Sequence, residues 1–85
     1  MKYSKKTKEL VEVLLKINSE EEMYLFLQGI LTPKELDEIP TRLQIVKMLK
    51  QGVAQHKIAE KLGIGVATVT RGSKEIQEGR FKQIK

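Results

Sequence analysis

The chain has 85 residues, 40% hydrophobic and 32% charged, with no cysteine and no tryptophan, which bounds it to one small domain with an aliphatic core and no disulfide or thiolate-zinc support. The net charge of +5 is unevenly spread: residues 1–43 hold seven Lys and Arg against eight Asp and Glu, whereas residues 44–85 hold nine against three, so the second half is the one that attracts phosphate. Its apolar stretches are a few residues long, far short of the roughly 20 needed to cross a bilayer, and no secretory segment follows the basic N-terminus, so a cytoplasmic protein is expected.

Leu10, Val11, Leu14, Leu15 and Ile17 fall near one face of a helix from about Ser4 to Ile17, with Lys5, Lys6, Lys8, Glu9, Glu12 and Lys16 largely elsewhere. Ser19-Glu20-Glu21-Glu22 reads as a capping box, the Ser19 hydroxyl taking a free amide and Glu22 reaching back. It opens a second, more apolar helix through Met23, Leu25, Phe26, Leu27 and Ile30 that ends near Gly29. Thr32-Pro33-Lys34-Glu35 opens a third, because Thr caps well, Pro tolerates the first helical position and Glu35 completes the box. That helix carries Leu36, Ile39, Leu43, Ile45, Val46 and Leu49 to Gly52. Pro40 removes the amide that would bond to the Leu36 carbonyl, at about 3 kcal/mol. A kink or a restart is predicted there, with Pro40 in the first turn of the longer segment. At this chain length a core shared between two copies is the expected way to cover these apolar faces.

From Gln55 to Lys74 the text is QHKIAEKLGIGVATVTRGSK, and its apolar and small positions have the spacing of a helix-turn-helix. Ile58 and Leu62 lie four apart on a short first helix. Ala59 is small enough for a second helix to cross closely, and Gly63 permits the left-handed backbone of a sharp turn. Ile64, Val66 and Val69 then lock the second helix against the first. On that helix Gly65, Ala67, Thr68 and Thr70 are small or hydroxylic, which lets a duplex approach and lets Thr bond phosphate or base edges.

The segment Leu31 to Ile76, LTPKELDEIPTRLQIVKMLKQGVAQHKIAEKLGIGVATVTRGSKEI, resembles the tryptophan repressor family. The most specific pieces are Leu31-Thr32-Pro33, Thr41-Arg42 with Ile45-Val46, and Ala67-Thr68-Val69-Thr70-Arg71-Gly72-Ser73. The resemblance implies an all-α fold, a small intertwined helical homodimer, with residues 1–52 as its dimerisation core, 54–78 as the helix-turn-helix and 79–85 as a short basic tail. It implies a transcriptional repressor of tryptophan-related genes that binds a palindromic double-stranded DNA operator. L-tryptophan would be its co-repressor, setting the tilt and separation of the two recognition helices, with no cofactor and no metal. Successive major grooves are read only when those helices stand about 34 Å apart, so a small wedged ligand switches affinity.

Carried over residue by residue, Arg42 and Arg71 sandwich the indole, as guanidinium groups stack on aromatic rings, and Arg71 with Thr32 takes the carboxylate. Val46 and Gly72 shape the indole slot, Thr68 lies beside it, and carbonyls around Leu31 of the other subunit receive the ammonium. The DNA-facing set is Gln55, His56, Lys57, Gly65, Val66, Ala67, Thr70, Ser73 and Lys74.

Three positions depart from the family. Glu75 stands where Ser helps hold the ligand amine, so a carboxylate there either binds the ammonium more strongly or holds Arg71 away from the pocket. Gly29 replaces a larger apolar residue and Pro40 a Gly. The Gly52–Gln55 connection is one residue shorter than in tryptophan-responsive members. The tail after Glu78, GRFKQIK, is too short for the family's last helix. Phe81 and Ile84 would form one apolar turn against the partner subunit, and Arg80, Lys82 and Lys85 would add phosphate attraction.

The alternative is a tryptophan-independent helix-turn-helix regulator, told apart by whether L-tryptophan changes operator affinity. A helical protein-interaction module is a third class, for which only weak, sequence-independent DNA binding is expected. Catalysis is disfavoured: a single histidine, His56, no cysteine and no paired carboxylates outside surface-like runs leave little for acid–base or metal chemistry.

Overall fold

The computed structural model describes residues 2–85. Its regular structure is helical throughout: α1 (Lys5–Lys16), α2 (Glu20–Ile30), α3 (Pro33–Lys50), α4 (Gln55–Leu62) and α5 (Val66–Gln77). The chain divides after Leu36 into two compact units, and among the described residues no helix is long and apolar enough to cross a membrane.

In the first unit both helix starts are capped as their sequences dictate. Ser4 Oγ accepts from the Thr7 N–H at 3.2 Å, and Ser19 Oγ from the Glu22 N–H at 3.1 Å. Glu20, Glu21 and Glu22 fill the first turn of α2, where the helix dipole favours anions. Among the described residues no bond runs from Glu22 back to Ser19, so half of the predicted box is made. Helix α2 ends one residue beyond Gly29. Neither α1 nor α2 has a buried residue: Leu15 is 80% and Leu25 60% exposed, and Leu10, Val11, Tyr24 and Ile30 are exposed with them.

The complete capping box lies at the start of α3. Glu35 N–H donates to Thr32 Oγ1 at 3.2 Å, and Thr32 N–H donates to the Glu35 carboxylate at 2.9 Å. These bonds hold the Glu35 carboxyl below its ordinary range, the backbone donor contributing most.

Of the kink or restart expected at Pro40, the restart does not occur. Helix α3 runs unbroken from Pro33 to Lys50 with Pro40 inside it, although a proline there removes one intrahelical bond. The capping box fixes the turn before it, the Thr41 hydroxyl donates to the Asp37 carbonyl at 3.0 Å, and Ile45 and Val46 are buried beyond it. Those restraints on both sides outweigh the local penalty.

The second unit, Asp37–Lys85, carries the core. Ile45, Ile58 and Val69, one from each of α3, α4 and α5, are fully buried together, with Met48, Leu49, Val53, Ala59, Leu62 and Ile64 packed around them. Ile45, Met48 and Leu49, read in the sequence with residues 1–52, thus pack on the helical pair that follows. Leu43 and Ile39 remain exposed. Burial of three branched side chains contributes roughly 1.5–3 kcal/mol each.

Helix α4 ends at Gly63, whose φ of 67° is left-handed, as predicted. The turn closes by Ile64 N–H to the Ala59 carbonyl at 3.0 Å and Gly63 N–H to the Glu60 carbonyl at 3.3 Å, the bond pair of a glycine-terminated helix. Three residues therefore separate α4 from α5. Val66 does not lock the two helices as the sequence suggested: it is 52% exposed, and the core is filled from α5 by Val69, one turn on.

Candidate functional site

Helices α3 and α5 approach closely at Gly72, where a β-carbon would lie 3.1 Å from Ile45 Cγ2 and 3.6 Å from Leu49 Cδ1. Beside this contact lies a cavity of about 780 Å³, within the ~300–1,000 Å³ usual for small-molecule sites. Arg42, Ile45 and Val46 line it from α3, Ala67, Thr68, Arg71, Gly72 and Glu75 from α5, and Arg80 and Phe81 from the segment that follows.

Six of the eight residues expected at the ligand site meet in this wall: Arg42, Val46, Thr68, Arg71, Gly72 and Glu75. The spacing explains it, since Arg42 and Val46 are four apart on α3, and Thr68, Arg71, Gly72 and Glu75 recur at three or four on α5. Leu31 and Thr32 belong to the first unit and are not among these lining residues. Thr32 is engaged in the capping box, and Leu31 ends α2 with its N–H bonded to the Leu27 carbonyl at 2.9 Å. The sequence places Ile45 in the core and in the resembling segment but not at the ligand site, and Arg80 and Phe81 in the tail. The i+3 spacing of Ile45 from Arg42 carried a signal for the first; nothing in the sequence carried one for the other two.

The tail does not stand apart as a basic extension. The Lys50 ammonium, at the end of α3, donates to the carbonyls of both Phe81 and Ile84, folding the segment back on its own chain. Arg80, expected to add phosphate attraction, instead places Nε 3.5 Å from Glu75 Oε2. This is the one ion pair among the described residues, so Glu75 does not hold Arg71 as one alternative had it.

Among the residues expected to face DNA, His56, Lys57, Gly65, Val66, Ala67, Thr70 and Lys74 are exposed, and Gln55 and Ser73 are half-buried. Ala67 also lines the cavity. The Thr70 hydroxyl donates to Gln55 Oε1 at 2.7 Å and lies 3.0 Å from the Val66 carbonyl, so two side chains read separately in the sequence are tied across α4 and α5.

The class these features define is a small helical protein in which one helix, α5, is shared between a cationic, partly apolar cavity and a surface of hydroxyl and basic side chains. The model of the Trp repressor protein family matches residues 5–83. A protein of Xylella fastidiosa (strain M23) named Trp operon repressor homolog is 32% identical over 74 residues, covering 86% of this chain and 80% of that protein. Like-named proteins are 39% identical over 70 residues in Photobacterium profundum and 33% over 70 in Vibrio cholerae serotype O1, each match covering 81% of this chain and 68% of the relative. The chain belongs to the Trp repressor family, whose members regulate transcription and are not enzymes.

Proposed function

We propose that the protein is a homodimeric, DNA-binding transcriptional repressor of the Trp-operon type, with L-tryptophan as co-repressor. The observation that carries this reading is the cavity: two guanidinium groups, Arg42 and Arg71, stand in one wall with Ile45, Val46 and Thr68, against the same helix whose far side exposes Val66, Thr70 and Lys74. A ligand carboxylate finds charge-assisted donors there, and an indole finds guanidinium faces and branched apolar side chains.

On the DNA side, α4 and α5 act as the helix-turn-helix. With Oε1 of Gln55 taken by Thr70, the amide N–H pair of Gln55 is left to donate to a phosphate or a base acceptor. His56, Lys57, Gly65, Ala67, Ser73 and Lys74 complete the contact set. A ligand wedged between α3 and α5 biases the placement of α5, and only a conformation that both subunits can dock in successive grooves binds tightly. The exposed apolar residues of α1 and α2 are the surface that a second copy would cover, and carbonyls around Leu31 of that copy would receive the ligand amine.

The test combines calorimetric titration of the purified chain with L-tryptophan and fluorescence anisotropy of a labelled palindromic duplex with and without it. Saturation near one tryptophan per chain and a ligand-dependent rise in duplex affinity, steeply reduced by salt, are expected. Duplex binding that ignores tryptophan would make the protein a tryptophan-independent regulator of the same family. Salt-insensitive binding would remove the basic half as the DNA face.

A further inference from the structure

One carboxylate stands among three guanidinium groups in the cavity wall, and the backbone explains why it is paired. Gly79, at φ 81°, ends α5 with its N–H on the Ile76 carbonyl at 3.0 Å and the Arg80 N–H on the Glu75 carbonyl at 3.2 Å. That bond pair folds the residue after the glycine back over the last turn of the helix. In many such endings an apolar contact closes the turn, whereas here the Arg80 guanidinium meets the Glu75 carboxylate.

The two partners are unequally held. Glu75 has 34% of its side chain exposed and Arg80 63%, so the cation is the loose member and the carboxylate the enclosed one. The Lys50 bonds to the Phe81 and Ile84 carbonyls fix the following backbone independently of the ion pair. Apart from Glu75 the Arg80 guanidinium has, among the described residues, only a long bond to the Glu78 carbonyl, 3.4 Å, so it can leave Glu75 without unfolding the segment that places Phe81 in the wall.

We infer that Glu75 is the receptor for a ligand ammonium and that Arg80 is its exchangeable placeholder. This deepens the reading of the cavity as an amino-acid site and rests on it. A ligand with an ammonium beside a carboxylate sets its ammonium on Glu75, releases the Arg80 guanidinium to water and gives its carboxylate to Arg42 and Arg71. A carboxylate ligand without the amine leaves the Glu75–Arg80 pair in place. Arg80 thus opposes amine-bearing ligands selectively, and Glu75 favours them selectively.

The experiment titrates the full chain with L-tryptophan and with indole-3-propionate, which lacks the amine, using the unaltered protein, Arg80→Gln, Glu75→Gln and Glu75→Asp, each checked by far-UV circular dichroism. Arg80→Gln is expected to tighten L-tryptophan binding by about two- to fivefold, the range of an exposed ion pair, and to leave indole-3-propionate unchanged. Glu75→Gln is expected to lower the preference for L-tryptophan by about tenfold, the scale of a hydrogen bond to a charged group, with Glu75→Asp in between. Weaker tryptophan binding by Arg80→Gln, or an equal shift for both ligands, would overturn the placeholder role. An unchanged preference in both Glu75 variants would overturn the receptor role. If the unaltered protein binds neither compound, the amino-acid reading of the cavity fails, and this inference with it.

Discussion

Replacing Gly72 with alanine isolates the close approach of α3 and α5. The added methyl would sit 3.1 Å from Ile45 Cγ2 and 3.6 Å from Leu49 Cδ1, where a relaxed carbon–carbon contact is about 3.5–4.0 Å. Ile45 is 1% exposed and packs on Ile58 and Val69, so it retreats only by displacing the core. Overpacking of this kind costs roughly 1–3 kcal/mol, while exchanging glycine for alanine within a helix gains about 0.8–1.0 kcal/mol. The net expectation is a loss of about 1 kcal/mol.

Gly29→Ala serves as the internal control. It makes the same exchange near the end of α2, at a position with nothing within 4 Å of the new methyl, so only the propensity gain of about 0.8–1.0 kcal/mol remains. The two variants should move in opposite directions in urea titrations followed by circular dichroism, run at equal protein concentration so that any subunit association contributes equally. If Gly72→Ala unfolds at the same or higher urea than Gly29→Ala, the close approach of α5 to Ile45 is not a structural requirement.

Ile58→Ala removes a fully buried side chain of the second unit and is expected to cost roughly 2–5 kcal/mol in the same titration; a loss well under about 1 kcal/mol would mean the three-residue core is not the anchor. Thr70→Ala breaks the link to Gln55 and is expected to weaken specific duplex binding with little change in tryptophan affinity, whereas Arg71→Ala is expected to harm tryptophan binding first; calorimetry and anisotropy on both variants separate the two faces of α5. The Glu35 carboxyl is held below its ordinary 4.5 by its bonds to Thr32, so the capping box stabilises fully above that value and its contribution is lost as pH falls through the lower folded one. Glu35→Gln should lower thermal stability at neutral pH, leave strongly acid pH the less affected and so flatten the acid limb below about pH 4.5, and an unchanged acid limb would refute the coupling.

The elements were legible in the sequence where a local rule acts alone, whereas the cavity-lining positions were legible only through the resemblance to a known family. Ser4, Ser19 and Thr32 mark three helix starts through bonds that span three residues. Gly63 marks an end through a φ that only glycine adopts freely. The wall made by Arg42 and Val46 with Thr68, Arg71, Gly72 and Glu75 follows from two periodicities brought together by one close approach. The absence of a restart at Pro40 is not legible locally, because the helix is held by the capping box before it and the buried Ile45 and Val46 beyond it. Val66 is apolar but 52% exposed, and apolar character alone does not tell a first-turn residue that packs from one that meets solvent. The tail was illegible for a different reason: its placement depends on Lys50, about 30 residues earlier in the chain, and no pattern within GRFKQIK encodes a carbonyl's distant donor. The same segment carries the Glu75–Arg80 pair, so the part of the cavity that distinguishes this chain is the part that only the folded backbone brings together.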